Sequence, residues 1–268
     1  MCRHSAWLGR PATLQELLVD PPHGLLRQSW APRRQQHGTV NADGFGVGWF
    51  SHERAEPARY RRATPMWGDP SFLSLAGVVR SGCVLAAVRS ATAGGPGGEQ
   101  ACAPFLLPGG VLLSHNGAVP VAAVAPLVSS AALATLGSTV DSAFVAALVA
   151  DRLDPNLPGS ALSGSELSGQ ELSGQGLSGQ GLAAALAGAV AAVAAVAPYA
   201  RLNLLATDGR SVAATTWGDT LCWRLGAGGV VVASEPADDE AGWTDVPDRS
   251  LLTLTVDGCT VVPLPLGP

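Results

Sequence analysis

The sequence predicts an α+β fold. Two observations carry that reading. Asp208-Gly209 and Asp257-Gly258 each sit between β-branched runs, as short hairpins require. Strand-like segments also fall in clusters separated by helical stretches, so sheets pair antiparallel with helices outside them. At 268 residues, 47% apolar and only 14% charged, the chain can bury a sizeable core.

The helices are read in chain order. Thr13-Leu14-Gln15-Glu16 has the pattern of a capping box and opens a short helix stopped by Pro21-Pro22. Residues 70–80 form the second, with Pro70 early and Gly82 just past the end. Residues 139–153 carry Val140, Phe144, Ala147, Leu148 and Leu153 at helical spacing, and 183–197 is helical on alanine propensity. Expected strands are 45–50, 84–88, 111–114, 202–207, 212–217, 229–234, 251–256 and 260–263.

Four tandem pentapeptides, starting at Leu162, Leu167, Leu172 and Leu177, fit neither helix nor strand period. Residues 155–181 therefore read as a flexible low-complexity insertion in a single domain spanning 2–268. A docking repeat is the alternative.

Composition removes several functions. Net charge is −5, all 16 basic residues are arginine, and the densest basic run is Arg59-Tyr60-Arg61-Arg62, so nucleic acid is not an expected partner. The N-terminus lacks the pattern of a secretory signal. The apolar stretch 182–197 is mostly alanine and closed by Pro198, better suited to a buried helix than to a membrane span. Five cysteines without a CxxC pair suit a reducing cytoplasm, and Cys83, Cys102, Cys222 and Cys259 are expected to pack as apolar groups. Scattered histidines give no metal motif.

Chemistry is concentrated in a few places. Removal of Met1 would expose Cys2 with a free α-amine. An amine pKa of about 7.7–8.0 beside a thiol of about 8.5 puts nucleophile and base in one residue. An incidental terminal cysteine is the plain alternative. Ser114-His115-Asn116-Gly117 after an apolar run suits a hairpin, yet an asparagine amide and the next backbone N–H also make an oxyanion hole. Arg89 stands where a strand gives way to a glycine-rich loop, placed to fork onto a carboxylate. Asp141, in the first turn of a helix, suits either capping or an ammonium ligand. Glycines alternating with Phe45, Val47 and Trp49 lack the following helix of a dinucleotide loop, and suggest close approach of another backbone or a ligand.

In their order these motifs resemble class II glutamine amidotransferases, a branch of the N-terminal nucleophile hydrolases. The match comprises Met1-Cys2-Arg3-His4, residues 41–49, Val88-Arg89-Ser90-Ala91-Thr92, Ser114-His115-Asn116-Gly117, Asp141-Ser142, Leu202-Asn203-Leu204-Leu205 and Ala233-Ser234-Glu235-Pro236. The resemblance implies a four-layer αββα sandwich of two antiparallel sheets. It makes Cys2 the nucleophile with its own amine as base, and Asn116 with the Gly117 N–H the oxyanion hole. Arg89 and Thr92 would bind a glutamyl α-carboxylate, and Asp141 the α-ammonium. The implied reaction is cleavage of a γ-glutamyl amide through a thioester, with no metal or organic cofactor.

Many members of that family carry tryptophan after the arginine and His-Gly after the threonine. This chain has Ser90 and Ala93-Gly94 there, a sign of an altered acceptor side for which glutamine need not be the preferred substrate. No stretch is left over for a synthase domain, so a stand-alone hydrolase of a small-molecule γ-glutamyl substrate is expected, without an obligate protein partner. A glutaminase subunit feeding ammonia to a separate synthase is the alternative within enzymes, and a silent amino-acid-binding protein the alternative outside them. Trp30, Asn41 and Asp43 are candidates for lining the leaving-group pocket.

Overall fold

The computed structural model describes residues 2–91, 95, 97–154, 156, 179–255 and 258–264. Its strands are β1 (Arg3–Thr13), β2 (Phe45–Trp49), β3 (Ala58–Arg62), β4 (Arg80–Val88), β5 (Phe105–Leu107), β6 (Val111–Ala118), β7 (Arg201–Thr207), β8 (Val212–Thr216), β9 (Cys222–Gly226), β10 (Gly229–Ala233), β11 (Thr244–Asp245), β12 (Ser250–Thr255) and β13 (Gly258–Pro263). They build two antiparallel sheets, in the orders β11-β9-β10-β1-β4-β2-β3 and β13-β12-β8-β7-β6-β5. The helices are α1 (Leu25–Gln28), α2 (Pro70–Ala76), α3 (Val121–Val124), α4 (Ser130–Ala134), α5 (Asp141–Leu153) and α6 (Gly179–Val196).

Three apolar cores turn these elements into four layers. Between the sheets lie Ala6, Leu8, Leu85, Leu112, Leu205, Val232 and Leu252. α5 and α6 cover the outer face of the six-stranded sheet, and in α6 Leu182, Ala185, Leu186, Ala189, Val190 and Val193 form one buried stripe at helical spacing. α6 is long and apolar enough to cross a membrane by length and composition, but this stripe lies in the helix–sheet core. The outer face of the seven-stranded sheet is covered by α1, α2 and a five-residue π turn at Gln15–Val19, through Leu14, Leu18, Leu25 and Phe72. Each fully buried Leu, Val or Phe contributes about 1.5–3 kcal/mol. The αββα sandwich is therefore the observed fold.

Several local expectations changed in the tertiary context. The capping box forms as read, with Glu16 N–H donating to Thr13 Oγ1 at 3.1 Å and Thr13 N–H to Glu16 Oε2 at 2.6 Å, but it starts the π turn rather than an α-helix. β1 had no counterpart in the reading because it is central, between β10 and β4, and covered on both faces, which removes alternation. α2 begins with Asp69 accepting from Phe72 N–H at 3.0 Å but stops at Ala76. Residues 80–88 pair with β1 instead, and Gly82 is a close-approach position: a Cβ there would lie 2.8 Å from Gly9 O. The basic run at 59–62 is the edge strand β3, where charges discourage further pairing.

The turns also moved. Thr207 pairs with Val212, so Asp208-Gly209 belongs to a four-residue loop. Gly258 pairs with Thr255 as the first residue of β13, while Asp257 lies outside the described residues. Most of the 155–181 insertion lies outside them too, but Gly179–Gly181 belong to α6, so its C-terminal boundary falls at least three residues earlier.

Candidate active site

The cross-sheet register sets the site. On β1, Ala6 and Leu8 face the inter-sheet core, and His4 shares their face; on β6, Leu112 does, and Ser114 shares its face. His4 Nδ1 and Ser114 Oγ meet across the gap at 3.2 Å. Two residues before His4 and two residues after Ser114, the same alternation puts Cys2 and Asn116 on these facing surfaces. β6 runs on through Ala118, with Asn116 opposite Asn203 and Gly117 opposite Leu202, so the hairpin reading of Asn116-Gly117 does not hold.

Asn116 is fully buried, and neither its Oδ1 nor its Nδ2 has a hydrogen-bond partner. A buried, unsatisfied amide is costly unless something completes it. Gly117 is a glycine for a packing reason: a Cβ there would lie 2.0 Å from Arg201 O and 2.5 Å from His115 Nε2.

A cavity of about 460 Å³ opens at this end of the sheets. Its wall includes Cys2, Arg89, Ser90, Gly117, Val140 and Asp141. Arg89 follows the last residue of β4. Its N–H donates to Gly44 O at 2.7 Å and its Nη1 to Asp43 O at 3.2 Å. Asp141 opens α5, accepting from Val119 N–H at 3.1 Å and Ser142 N–H at 2.8 Å. Asp141 is thus a hydrogen-bond acceptor at the start of α5 and also stands in the cavity wall. Thr92 lies outside the described residues.

Burial pushes the Cys2 thiol above its ordinary pKa. The Ser90 N–H opposes that shift, Asp141 adds to it, and Arg89 opposes it. A thiol held protonated in this way needs a base to become a nucleophile.

The expected leaving-group residues are elsewhere. Asn41 is buried, with Nδ2 donating to Gln28 O and Gln35 Oε1, both at 2.9 Å. Asp43 accepts from Ala91 N–H at 2.7 Å, and Trp30 stands edge-on to Trp67 with centroids 5.8 Å apart. None of the three is in the cavity wall. The glycine-rich strand does serve close approach: Cβ atoms at Gly46 and Gly48 would lie 2.2 Å from Ala103 O and 2.6 Å from Leu112 Cδ1.

Sequence reasoning missed the polar frame around the site. His115 bridges the start of α5 and the start of β7, with Nδ1 3.0 Å from Ser142 Oγ and Nε2 2.9 Å from Arg201 O. Arg3 Nε donates to Cys2 O at 2.9 Å, and buried Glu235 accepts from the N–H groups of Arg33 and Arg34, both at 2.8 Å. Arg3, His115 and Glu235 all lie in the motifs that carry the resemblance, but no role was read for any of them.

No family model matches the chain. Two curated relatives named gamma-glutamyl-hercynylcysteine sulfoxide hydrolase cover it almost end to end. That of Mycolicibacterium smegmatis is 48% identical over 98% of this chain and 100% of its own length. That of Mycobacterium tuberculosis (strain CDC 1551 / Oshkosh) is 46% identical over 98% and 97%. Among solved structures, a glutamine aminotransferase class-II domain protein from Silicibacter pomeroyi superposes with a TM-score of 0.63 at 21% identity, covering 98% of this chain and 99% of that one. A glutamine phosphoribosylpyrophosphate amidotransferase from B. subtilis gives 0.62 at 15% identity, covering 100% and 50%. The structural likeness shows the class II amidotransferase fold, and the identity over nearly the full length shows the family: the chain belongs to the gamma-glutamyl-hercynylcysteine sulfoxide hydrolases.

Proposed function

We propose that this protein hydrolyses the γ-glutamyl amide of γ-glutamyl-hercynylcysteine sulfoxide, releasing glutamate, with Cys2 as nucleophile. The carrying observation is that Cys2, Arg89, Gly117 and Asp141 line one cavity, with the unpartnered Asn116 amide on the strand face opposite Cys2. Arg89 offers a planar fork for the glutamyl α-carboxylate, and Asp141 a carboxylate for the α-ammonium.

In this reading the α-amine of Cys2, freed by loss of Met1, takes the thiol proton. The thiolate adds to the γ-carbonyl carbon, and the oxyanion receives hydrogen bonds from Asn116 Nδ2 and the Gly117 N–H. Collapse breaks the C–N bond, and the leaving amine takes the proton from the Cys2 ammonium. Water, deprotonated by the same amine, then attacks the thioester, yielding glutamate and the restored thiol. The sequence calls for no metal or organic cofactor. The thiols of Cys2, Cys83, Cys102, Cys222 and Cys259 are all unpaired, which supports a reducing, cytoplasmic setting.

Glutamate release from the sulfoxide beside an equal concentration of glutamine tests the substrate. Preference for the sulfoxide supports the proposal; preference for glutamine would make the protein an ammonia donor. Cys2→Ala is expected to abolish turnover, with circular dichroism unchanged. Activity at the parent rate in that variant would remove the nucleophile assignment. Mass spectrometry of the mature chain should find Cys2 at the N-terminus.

A further inference from the structure

The proposed mechanism asks the α-amine of Cys2 to hold one orientation, yet none of the four cavity residues named for the substrate does that. A buried carboxylate linked to the nucleophile's backbone through Arg3 is available for it. Asp219 lies in the link between β8 and β9, its side chain 1% exposed. That link is pinned from several directions. Asn203 Nδ2 donates to Asp219 O at 2.9 Å, Thr220 Oγ1 to Ser234 O at 2.7 Å, Leu202 N–H to Trp217 O at 2.9 Å, and Gly218 N–H to Asp248 Oδ1 at 2.8 Å.

So firm a mount carries a carboxylate with no hydrogen bond on either oxygen. Two guanidiniums face it at ion-pair rather than hydrogen-bond distance, Arg3 Nη2 at 3.7 Å and Arg201 Nε at 3.5 Å. Arg3 is itself fully buried, and its Nε holds the carbonyl of Cys2. The guanidinium therefore spans from the Cys2 backbone to the Asp219 carboxylate. Buried carboxylates ordinarily collect hydrogen bonds, so two unused acceptors beside the nucleophile's backbone call for a donor.

We propose that Asp219 is a positioning residue for the nucleophile, its free oxygens receiving the α-ammonium of Cys2 once Met1 is removed, while Arg3 grips the Cys2 carbonyl. The proposal rests on the nucleophile reading of Cys2. Burial raises the Asp219 carboxyl, and Arg3, then Arg201 and His37, oppose that rise. The charged groups acting on the Cys2 side chain are Arg89 and Asp141, those acting on its neighbour Arg3 are Asp219 and Glu235, and Arg201 and His37 act on Asp219. The cations favour a neutral amine and the carboxylates the ammonium.

The test is the pH dependence of kcat/KM for Asp219→Asn. The acid limb reports protonation of the amine that must accept the thiol proton. Removing a neighbouring carboxylate lowers the amine pKa, so the limb should move to lower pH by about one unit, with kcat reduced about tenfold or more. A folded Asp219→Asn with its acid limb at the parent position would overturn the proposal. Asp219→Glu keeps the charge and guards against a folding failure. It should lower kcat about tenfold with KM within about twofold of the parent, because only the amine's orientation is disturbed. An unchanged kcat would likewise overturn it. The two readings separate cleanly: an active Cys2→Ala would remove the nucleophile assignment, whereas an inactive Cys2→Ala beside parent-like Asp219 variants would remove only this inference.

Discussion

At the scale of single residues, the site depends on side chains that are absent as much as on those present. Gly117 has β-strand surroundings on both sides, and nothing in its backbone angles demands glycine; the demand comes from Arg201 O and His115 Nε2, against which a methyl would press. Backbone cannot give way as a flexible side-chain tip can, so Gly117→Ala must shift β6 away from β7. We expect kcat to fall about 100-fold or more, the scale of losing one oxyanion donor. Single-turnover thioester formation would show it, and a rate within twofold of the parent would remove Gly117 from the hole. Cys2, Arg89 and Asp141, which share one cavity wall, stood out in the sequence as a near-terminal thiol, a strand end and a helix start, whereas Asn116 stood out through a hairpin pattern that the structure does not form. Trp30, Asn41 and Asp43 do not line the cavity that holds Cys2, and a polar loop residue such as Asn41 looks the same in sequence whether it faces a cavity or braces its neighbours. Asn41 does the latter with Gln28 and Gln35.

At the scale of elements, apolar runs marked inner strands such as β4, β7 and β8, while the edge strands β3, β5 and β11 were too short or too polar to stand out. The α6 stripe is regular because one side meets a sheet. β1 escaped because its neighbours β10 and β4, with a core on either face, leave no polar alternation to read. The capping box was legible as chemistry, though the turn it starts is wider than the pattern implies. The pentapeptide repeat belongs to this scale as well. α5 ends at Leu153 and α6 begins at Gly179, so a deletion should stop short of Gly179, because Gly181 is already buried in the helix. Removing residues 160–177 is expected to leave kcat/KM within about twofold, since loop closure costs change only logarithmically with length. A rate collapse would make the repeat part of the active protein rather than an insertion.

At the scale of the whole molecule, the two sheets are joined by apolar packing and, near the site, by polar contacts that respond to acid. His4 is fully buried between them, and burial, then the charges of Arg3 and His115, push its pKa down to about 3. In the unfolded chain it titrates near 6.5. Between those values the unfolded state binds the extra proton, so His4 contributes stability that is fully present above about pH 6.5 and is lost as pH falls toward 3. The slope from this residue is about 1.4 kcal/mol per pH unit inside that window. His4→Gln should therefore flatten the acid side of the stability curve between about pH 6 and pH 4, measured by urea unfolding. Parallel curves for parent and variant would mean that His4 is not held neutral.

The fold class, the α5 and α6 helices and most of the inner strands are legible in the sequence alone, since these follow from local spacing and from residue chemistry. Tertiary structure alone decided which residues share a wall. Only the pairing of β1 between β4 and β10, and of β6 with β7, brings residues 2, 89, 117 and 141 to one cavity. It alone set Arg3 against Asp219, 216 positions apart in the chain. Contacts of that kind leave no periodic trace, because each partner's local neighbours satisfy quite different demands.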